Sequence, residues 1–385
     1  MIRDSEKVRV IIGGDVVPTE DNKILFESGN IDELVGKDII NIIENSDIFT
    51  FNLEAPLTDS STKIKKSGPH LKANKECVNA IYKLKPDLIS LANNHILDYG
   101  ELGLKDTKLL LQKENIDIIG VGSNIYNIQS YKIINIKDKK IGFFSCADYE
   151  FTIATETRGG ANPYDPLITF DEIKKLKENV DYLIVLFHGG KEYYRYPSPK
   201  LQKICRKFVD SGADFITCQH SHCIGSKEEY KGKTILYGQG NFIFTYRDRI
   251  EWQEGLLLEI FIDNDIKINF IPFYKKGNKI RLAKDEKYNN IIEQFNIRSE
   301  KIKNKEFLKD EWQKFCENNE KRYLKEIIHL NIFEKILNKI TLQKYYEFKK
   351  KKNYNLMLSV LNNYQCEAHR EVVEEILRKE VLIEE

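Results

Sequence analysis

Four of the seven histidines stand in three short polar clusters, each directly after a run of apolar residues of the kind that forms buried strands. Residues 88–92 precede Asn93-Asn94-His95, 182–187 precede His188-Gly189-Gly190, and 215–218 lead to His220-Ser221-His222. Two further runs end on acids, 8–14 on Asp15 and 48–53 on Glu54. Strand ends are where a sheet presents side chains to a ligand. Five ends bearing Asp, Glu, Asn and His describe a mixed oxygen and nitrogen site of the kind that suits Mn, Fe or Zn, not a thiolate cage.

Each cluster also has an ordinary structural reading. A lone histidine after a strand is commonly a hydrogen-bonded structural residue, and Asp15 after two glycines is a natural turn residue or helix cap. A solvated loop accounts for His220 and His222, although residues two apart on an extended segment face one side. What favours a shared site is that all five clusters follow successive strand patterns of one domain.

The elements that must position them alternate in type through the first 275 residues. Strand patterns ending at Asp15, Glu54, Ala92, Gly120, His188 and Cys218 alternate with helical patterns over 32–45, 75–84, 101–114, 171–178 and 199–211, an α/β order. Strands at 131–136 and 140–146 join in hairpin style, and 234–237, 255–262 and 266–273 read as an antiparallel finish. Two facing sheets flanked by helices would bury the apolar runs on both sides. Two long loops interrupt the pattern. The first, 58–72, carries Ser60, Ser61, Lys63, Lys65, Lys66 and Gly68 and is either a flap over substrate or simply solvated; the second, 148–166, is long enough to be functional.

From about residue 285 the chain turns Lys-, Glu- and Asn-rich, with Ile327, Leu330, Ile332, Ile336, Leu337 and Ile340 at helical spacing. This tail reads as a helical appendage whose apolar positions suit packing on the domain or on a second subunit, so a homo-oligomer through these helices is expected. The run 349–352 of four lysines reads as a solvated helix end, and His329 and His369 receive no role. Sixty basic against 59 acidic residues leave a net charge of +1, so nothing in the total points to nucleic acid or an anionic membrane. The cysteines at 77, 146, 205, 218, 223, 316 and 366 form no CxxC pair. Cys218 and Cys223 flank the paired histidines and read as reduced packing residues. The charged N-terminus runs straight into the first strand, and no stretch of 18 apolar residues occurs, so no signal peptide or transmembrane segment is expected and the location expected is the cytoplasm.

The wording and order of the clusters resemble the CapA family of capsule and poly-γ-glutamate synthesis proteins, whose domain is similar to calcineurin-type metallophosphoesterases. The matching words are Gly14-Asp15, Asn52-Leu53-Glu54, Ala92-Asn93-Asn94-His95 with Asp98-Tyr99-Gly100, His188-Gly189-Gly190 with Glu192-Tyr193, His220-Ser221-His222, and Gly238-Gln239-Gly240-Asn241-Phe242. The resemblance implies a four-layer α/β/β/α sandwich over residues 1–280 and a helical C-terminal extension over 281–385. Two departures stand out. The wider phosphoesterase pattern opens with Asp-x-His, but the third residue here is Val17, and Glu54 stands in place of the bridging aspartate.

The ligand types then suggest roles. One or two divalent ions (Mn, Fe or Zn) held by Asp15, Glu54, Asn94, His188, His220 and His222 would lower the pKa of a bound water to about 7. With Val17 supplying no nitrogen, the expectation is a tight ion on Glu54, Asn94, His188 and His220, and a weak one on Asp15, Glu54 and His222. His95 would serve as the acid, oriented by Asp98. Asn52, Asn93, Glu192, Tyr193 and Asn241 are expected to meet substrate, although Glu192 and Tyr193 would equally suit a turn over the strand end and Asn241 a tight turn. The substrate is a small molecule or polymer, an anionic one included. The reading is a metal-dependent hydrolase acting on phosphoesters or phosphodiesters in the synthesis or tailoring of a capsule, exopolysaccharide or poly-γ-glutamate polymer. Amide chemistry on a γ-glutamyl chain and a non-catalytic assembly subunit with a vestigial site are the alternatives.

Overall fold

The computed structural model describes residues 7–245 and 249–382. The charged residues 1–6, on which the expectation of no signal peptide rests, lie outside the described residues. Strand Val8–Val16 has parallel neighbours in the order Ile48–Leu53, Leu88–Ser90 and Asp117–Ile119 on one side, and the antiparallel Glu254–Ile262, Ile266–Lys276 and Lys279–Leu282 on the other. A second sheet runs Lys227–Tyr230, Lys233–Leu236, Phe215–Gln219, Tyr182–His188, Lys139–Ala147, Tyr131–Ile136, with its four central strands parallel.

Alternation along the strands sorts their side chains into layers. Val8, Val10 and Ile12 meet Phe143, Ile184, Leu186 and Phe215 in one buried cluster between the sheets. Ile11, Phe49, Phe51 and Leu53 point the other way, onto the helical residues Ile39, Ile43, Ile81, Leu104 and Leu111. Phe144, Val185, Phe187 and Ile216 pack on Ile173, Leu176, Ile204 and Phe208 of helices Thr169–Lys177 and Pro199–Asp210. Strands covered on both faces read as continuous apolar runs, which is why the sequence shows them so plainly. The result is an α/β/β/α sandwich.

The parallel strands of both sheets end on the polar clusters, and one irregularity there matters. Pairing between Val8–Val16 and Ile48–Leu53 slips between Ile12 and Asp15, at Gly13-Gly14. A Cβ on Gly14 would lie 2.1 Å from the carbonyl oxygen of Gly240, so only glycine lets strand Asn241–Ile243 pair beside Asp15.

Several elements differ from expectation. The helix expected over 32–45 is broken at Gly36 (φ 82°) into Ile31–Leu34 and Lys37–Glu44. The strand expected at 234–237 as part of an antiparallel finish instead lies parallel to Phe215–Gln219 in the second sheet. The unforeseen strand Lys227–Tyr230, turning at Lys231-Gly232, reverses the chain just before it. The chain divides into two compact units, 1–309 and 310–385, where the sequence suggested a division at 280. The difference is helix Asp285–Lys301, whose Ile291 and Phe295 belong to the core between the sheets. In addition, Arg298 Nε donates to Gly225 O at 2.9 Å and the Lys227 amide to Ser299 Oγ at 3.0 Å. Within the second unit, helix Ile332–Ile340 opens on a capping box of Asn331 and Glu334. The four lysines close helix Lys344–Lys352, with Lys349 and Lys350 paired to Glu334 and Glu320. Among the described residues no helix is long and apolar enough to cross a membrane.

Candidate metal centre

Asp15 emerges at the slipped end of its strand and is nearly inaccessible. Its Oδ1 accepts from Asn52 Nδ2 at 2.7 Å and lies 3.7 Å from His188 Nδ1; its Oδ2 accepts from the His220 amide at 3.2 Å and lies 3.8 Å from His222 Nδ1. Glu54, one residue beyond its strand, is fully buried with Oε1 3.3 Å from His188 Nε2. Asn94 Oδ1 approaches the same Nε2 at 3.0 Å. His220 and His222 both sit at positive φ (82° and 55°). The loop is therefore bent and not extended, and the rings still converge, with centroids 5.9 Å apart. All six residues expected to hold metal are thus brought together.

Their ligand atoms form two triads, Asp15–Glu54–His188 and Glu54–His220–His222, each within 4.8 Å. Glu54 is common to both, as a bridging ligand would be. Other contacts run across these triads: Asn94 Oδ1 and Glu54 Oε1 both meet His188 Nε2, the His188 ring lies 4.9 Å from that of His220, and His222 Nδ1 lies 3.8 Å from Asp15 Oδ2.

The electrostatics suit a cation. Burial pushes the Glu54 carboxyl up to about 8, with the charges of Glu192, Glu150 and Asp98 adding to it and His95 opposing. Burial and then the Glu54 charge raise Asp15 to about 7. Burial lowers His188 and His220 to about 4, and His222 well below its ordinary value. Neither oxygen of Glu54 nor Nδ1 of His220 has a hydrogen-bond partner. A buried carboxylate without a donor, beside neutral imidazoles offering lone pairs, is costly alone and fits a divalent ion.

His95 lies at the edge of this cluster, its Nδ1 2.7 Å from Asp98 Oδ2. Asp98 is completely buried and also accepts from the Leu71 amide at 2.6 Å. The residues expected to meet substrate divide in two. Asn52 and Asn93 lie fully buried beneath the cluster, where Asn52 holds Asp15 and Asn93 donates to Asn52 Oδ1 (3.0 Å) and Leu53 O (2.8 Å). Asn241 is buried as well, its Oδ1 2.8 Å from His222 Nδ1. Tyr193 and Glu192 are partly exposed, the former with its ring stacked on Trp252 at 6.4 Å and under Arg249 at 4.2 Å.

Sequence reasoning missed two neighbours: Trp252 packs 4.7 Å from the His222 ring, and Glu150 approaches His220 Nε2 at 4.0 Å from the second long loop, whose length alone hinted at it. Lys66, named above in the first loop, reaches in to pair with Asp98. Val17, where a histidine would complete the phosphoesterase pattern, is buried in an apolar cluster with Ala55, Phe244 and Trp252.

Two facing sheets thus gather carboxylate, carboxamide and imidazole around one shared glutamate at their adjoining ends. A family model described as bacterial capsule synthesis protein PGA_cap matches residues 9–246, and the chain belongs to that family. It is 30% identical over 251 residues to the capsule biosynthesis protein CapA of Bacillus anthracis, covering 63% of this chain and 61% of that one. It is 33% identical over 208 residues to the PGA biosynthesis protein CapA of Bacillus subtilis (strain 168), covering 53% and 54%. The chain thus spans between half and two thirds of these relatives. A solved phosphatase from Mycoplasma pneumoniae is similar over 74% of this chain and 96% of its own, at 14% identity and TM-score 0.44.

Proposed function

We propose that this protein is a metal-dependent hydrolase of phosphoesters or phosphodiesters, serving the synthesis or tailoring of a capsule, exopolysaccharide or poly-γ-glutamate polymer. The observation that carries the reading is Glu54, a buried carboxylate without a hydrogen-bond donor, shared by two carboxylate–imidazole triads beside the His95–Asp98 pair. Asp15, Glu54, Asn94, His188, His220 and His222 would hold one or two divalent ions (Mn, Fe or Zn). When bound, such ions supply Lewis acidity and an activated water.

The chain's own residues do the rest. Asp98 accepts from Nδ1 of His95, which leaves Nε2 to deliver a proton to a leaving oxygen. Asn241 fixes His222 by accepting from its Nδ1, and Asn52 holds Asp15 against its strand. Tyr193 and Glu192, partly exposed beside the cluster, are the positions for substrate contact. The proposal keeps the division into a metal-binding domain and a helical extension, a cytoplasmic location, and a homo-oligomer through exposed apolar tail residues such as Ile332, Phe333, Ile336 and Ile340.

The test is elemental analysis of protein purified without chelator, followed by turnover of p-nitrophenyl phosphate, bis(p-nitrophenyl) phosphate and γ-glutamyl-p-nitroanilide. The anilide belongs in the panel because one relative is named for PGA biosynthesis. Metal-dependent phosphoester cleavage abolished by Glu54→Gln supports the proposal. Cleavage of the anilide alone replaces it with amide chemistry, and metal-free, inactive protein replaces it with an assembly role.

A further inference from the structure

The loop over residues 58–72 is tied to one carboxylate. Its base is closed by Thr58 N–H to Ala73 O and Ala73 N–H to Pro56 O, both 2.9 Å. From there the chain rises to exposed residues and returns, yet three of its groups meet Asp98. The Ile64 amide donates to the Asp98 carbonyl at 3.1 Å, the Leu71 amide donates to Oδ2 at 2.6 Å, and the Lys66 ammonium pairs with Oδ1. The Lys66 side chain is only 4% exposed. The same ammonium lies 3.3 Å from the Asn94 carbonyl oxygen and 3.2 Å from His95 Nδ1.

We infer that Lys66 is a positioning residue that clamps the 58–72 loop over His95 through Asp98. A carboxylate with two equivalent oxygens can turn. With Lys66 on Oδ1 and the Leu71 amide on Oδ2, this one is held with Oδ2 toward His95 Nδ1. Removing the ammonium leaves Oδ1 buried without its cation, a costly state that the loop relieves by lifting and admitting water. The clamp therefore joins loop closure to the orientation of His95. A lysine suits the position because its slender stem can cross the buried gap, where the planar guanidinium of arginine needs more room.

The role in turnover rests on the hydrolase reading; the clamp itself does not. The test is amide hydrogen exchange in the full-length, metal-supplemented protein. Lys66→Met should speed exchange at Ile64 and Leu71 by at least about tenfold, as expected when an anchored loop opens locally. Lys66→Arg should do so less, and Lys63→Met, on the exposed part of the loop, not at all. If Lys66→Met does not fold, Asp98→Asn must open the same amides. Unchanged exchange in whichever variant folds overturns the clamp.

In turnover of bis(p-nitrophenyl) phosphate, Lys66→Met should lower kcat by about tenfold with little change in KM, since only transition-state positioning is lost. A raised KM with unchanged kcat would make Lys66 a substrate contact and overturn the positioning role. A wild-type protein without phosphodiester turnover counts against the hydrolase reading alone, because the exchange data still decide the clamp.

Discussion

The Nδ1 of His222 lies 2.8 Å from Oδ1 of Asn241, on the strand that pairs beside Asp15. With Nδ1–H donating to the carboxamide, Nε2 carries the lone pair. Asn241→Leu should therefore lower metal affinity about 10–100-fold, the usual loss when an outer hydrogen bond to a ligating imidazole is removed. Calorimetric titration of metal-free protein checks this, and an unchanged affinity would show that His222 is oriented by its aromatic neighbours instead.

His95 should matter for turnover more than for metal. His95→Asn is expected to keep its metal content and lose about 10²–10⁴-fold in rate. Loss of metal together with rate would make His95 a ligand.

Restoring the phosphoesterase histidine at position 17 should fail. Val17 is almost wholly buried against Ala55, Phe244 and Trp252, so Val17→His should destabilise the fold by about 1–3 kcal/mol through overpacking and bind no additional metal. Unfolding by denaturant with parallel metal analysis reads both. A stable variant with a tighter second ion would show that the aromatic cluster yields.

The pH dependence of the metal-free protein follows from two opposed shifts. Asp15 and Glu54 titrate at about 7 and about 8 when folded, against ordinary values of 3.8 and 4.5. The folded chain thus holds protons that the unfolded chain has released, and this pair lowers stability as pH rises from about 4 to about 8. His188 and His220, at about 4 against 6.5, raise stability with pH across the lower part of that range and contribute no further change above it. The sum is a melting temperature that falls between about pH 6.5 and 8 without metal, while metal affinity climbs over the same window as the carboxyl protons leave. Thermal melts with and without chelator test this; a rising melting temperature in the chelated sample would contradict it.

Truncation should separate the tail from the site only at the right place. A chain ending near residue 309 keeps helix Asp285–Lys301 and should bind metal normally. One ending near 285 loses Ile291 and Phe295 from the core between the sheets, and burying two fewer large apolar side chains costs on the order of 3–6 kcal/mol, enough to unfold many domains. A soluble, metal-binding 1–285 fragment would refute this.

The clusters after the strands were legible because a strand buried on both faces is an unbroken apolar run, so a polar word at its end is conspicuous. His188, His220 and Glu54 announce themselves in this way. Lys66 and Trp252 do not, since nothing local to their segments says that a loop lysine will cross to Asp98 or that an indole will cover His222. The same limit explains Asn52 and Asn93. Their residue type suits a substrate contact, and only the three-dimensional arrangement shows both carboxamides used internally. The direction of strand Lys233–Leu236 was hidden for a related reason. The preceding short, partly exposed strand has a weak pattern, so the reversal it imposes leaves little trace in the sequence.

Because Glu54 belongs to the first sheet and His188 and His220 to the second, an ion shared by these residues would stitch together segments separated by more than a hundred residues of chain. Such a ligand binds only the assembled state, and at a hundredfold excess over its Kd it adds about 2.7 kcal/mol to folding. Metal supply would then govern how much of this protein is folded and so resists proteolysis, and a shortage of the ion would deplete the protein itself.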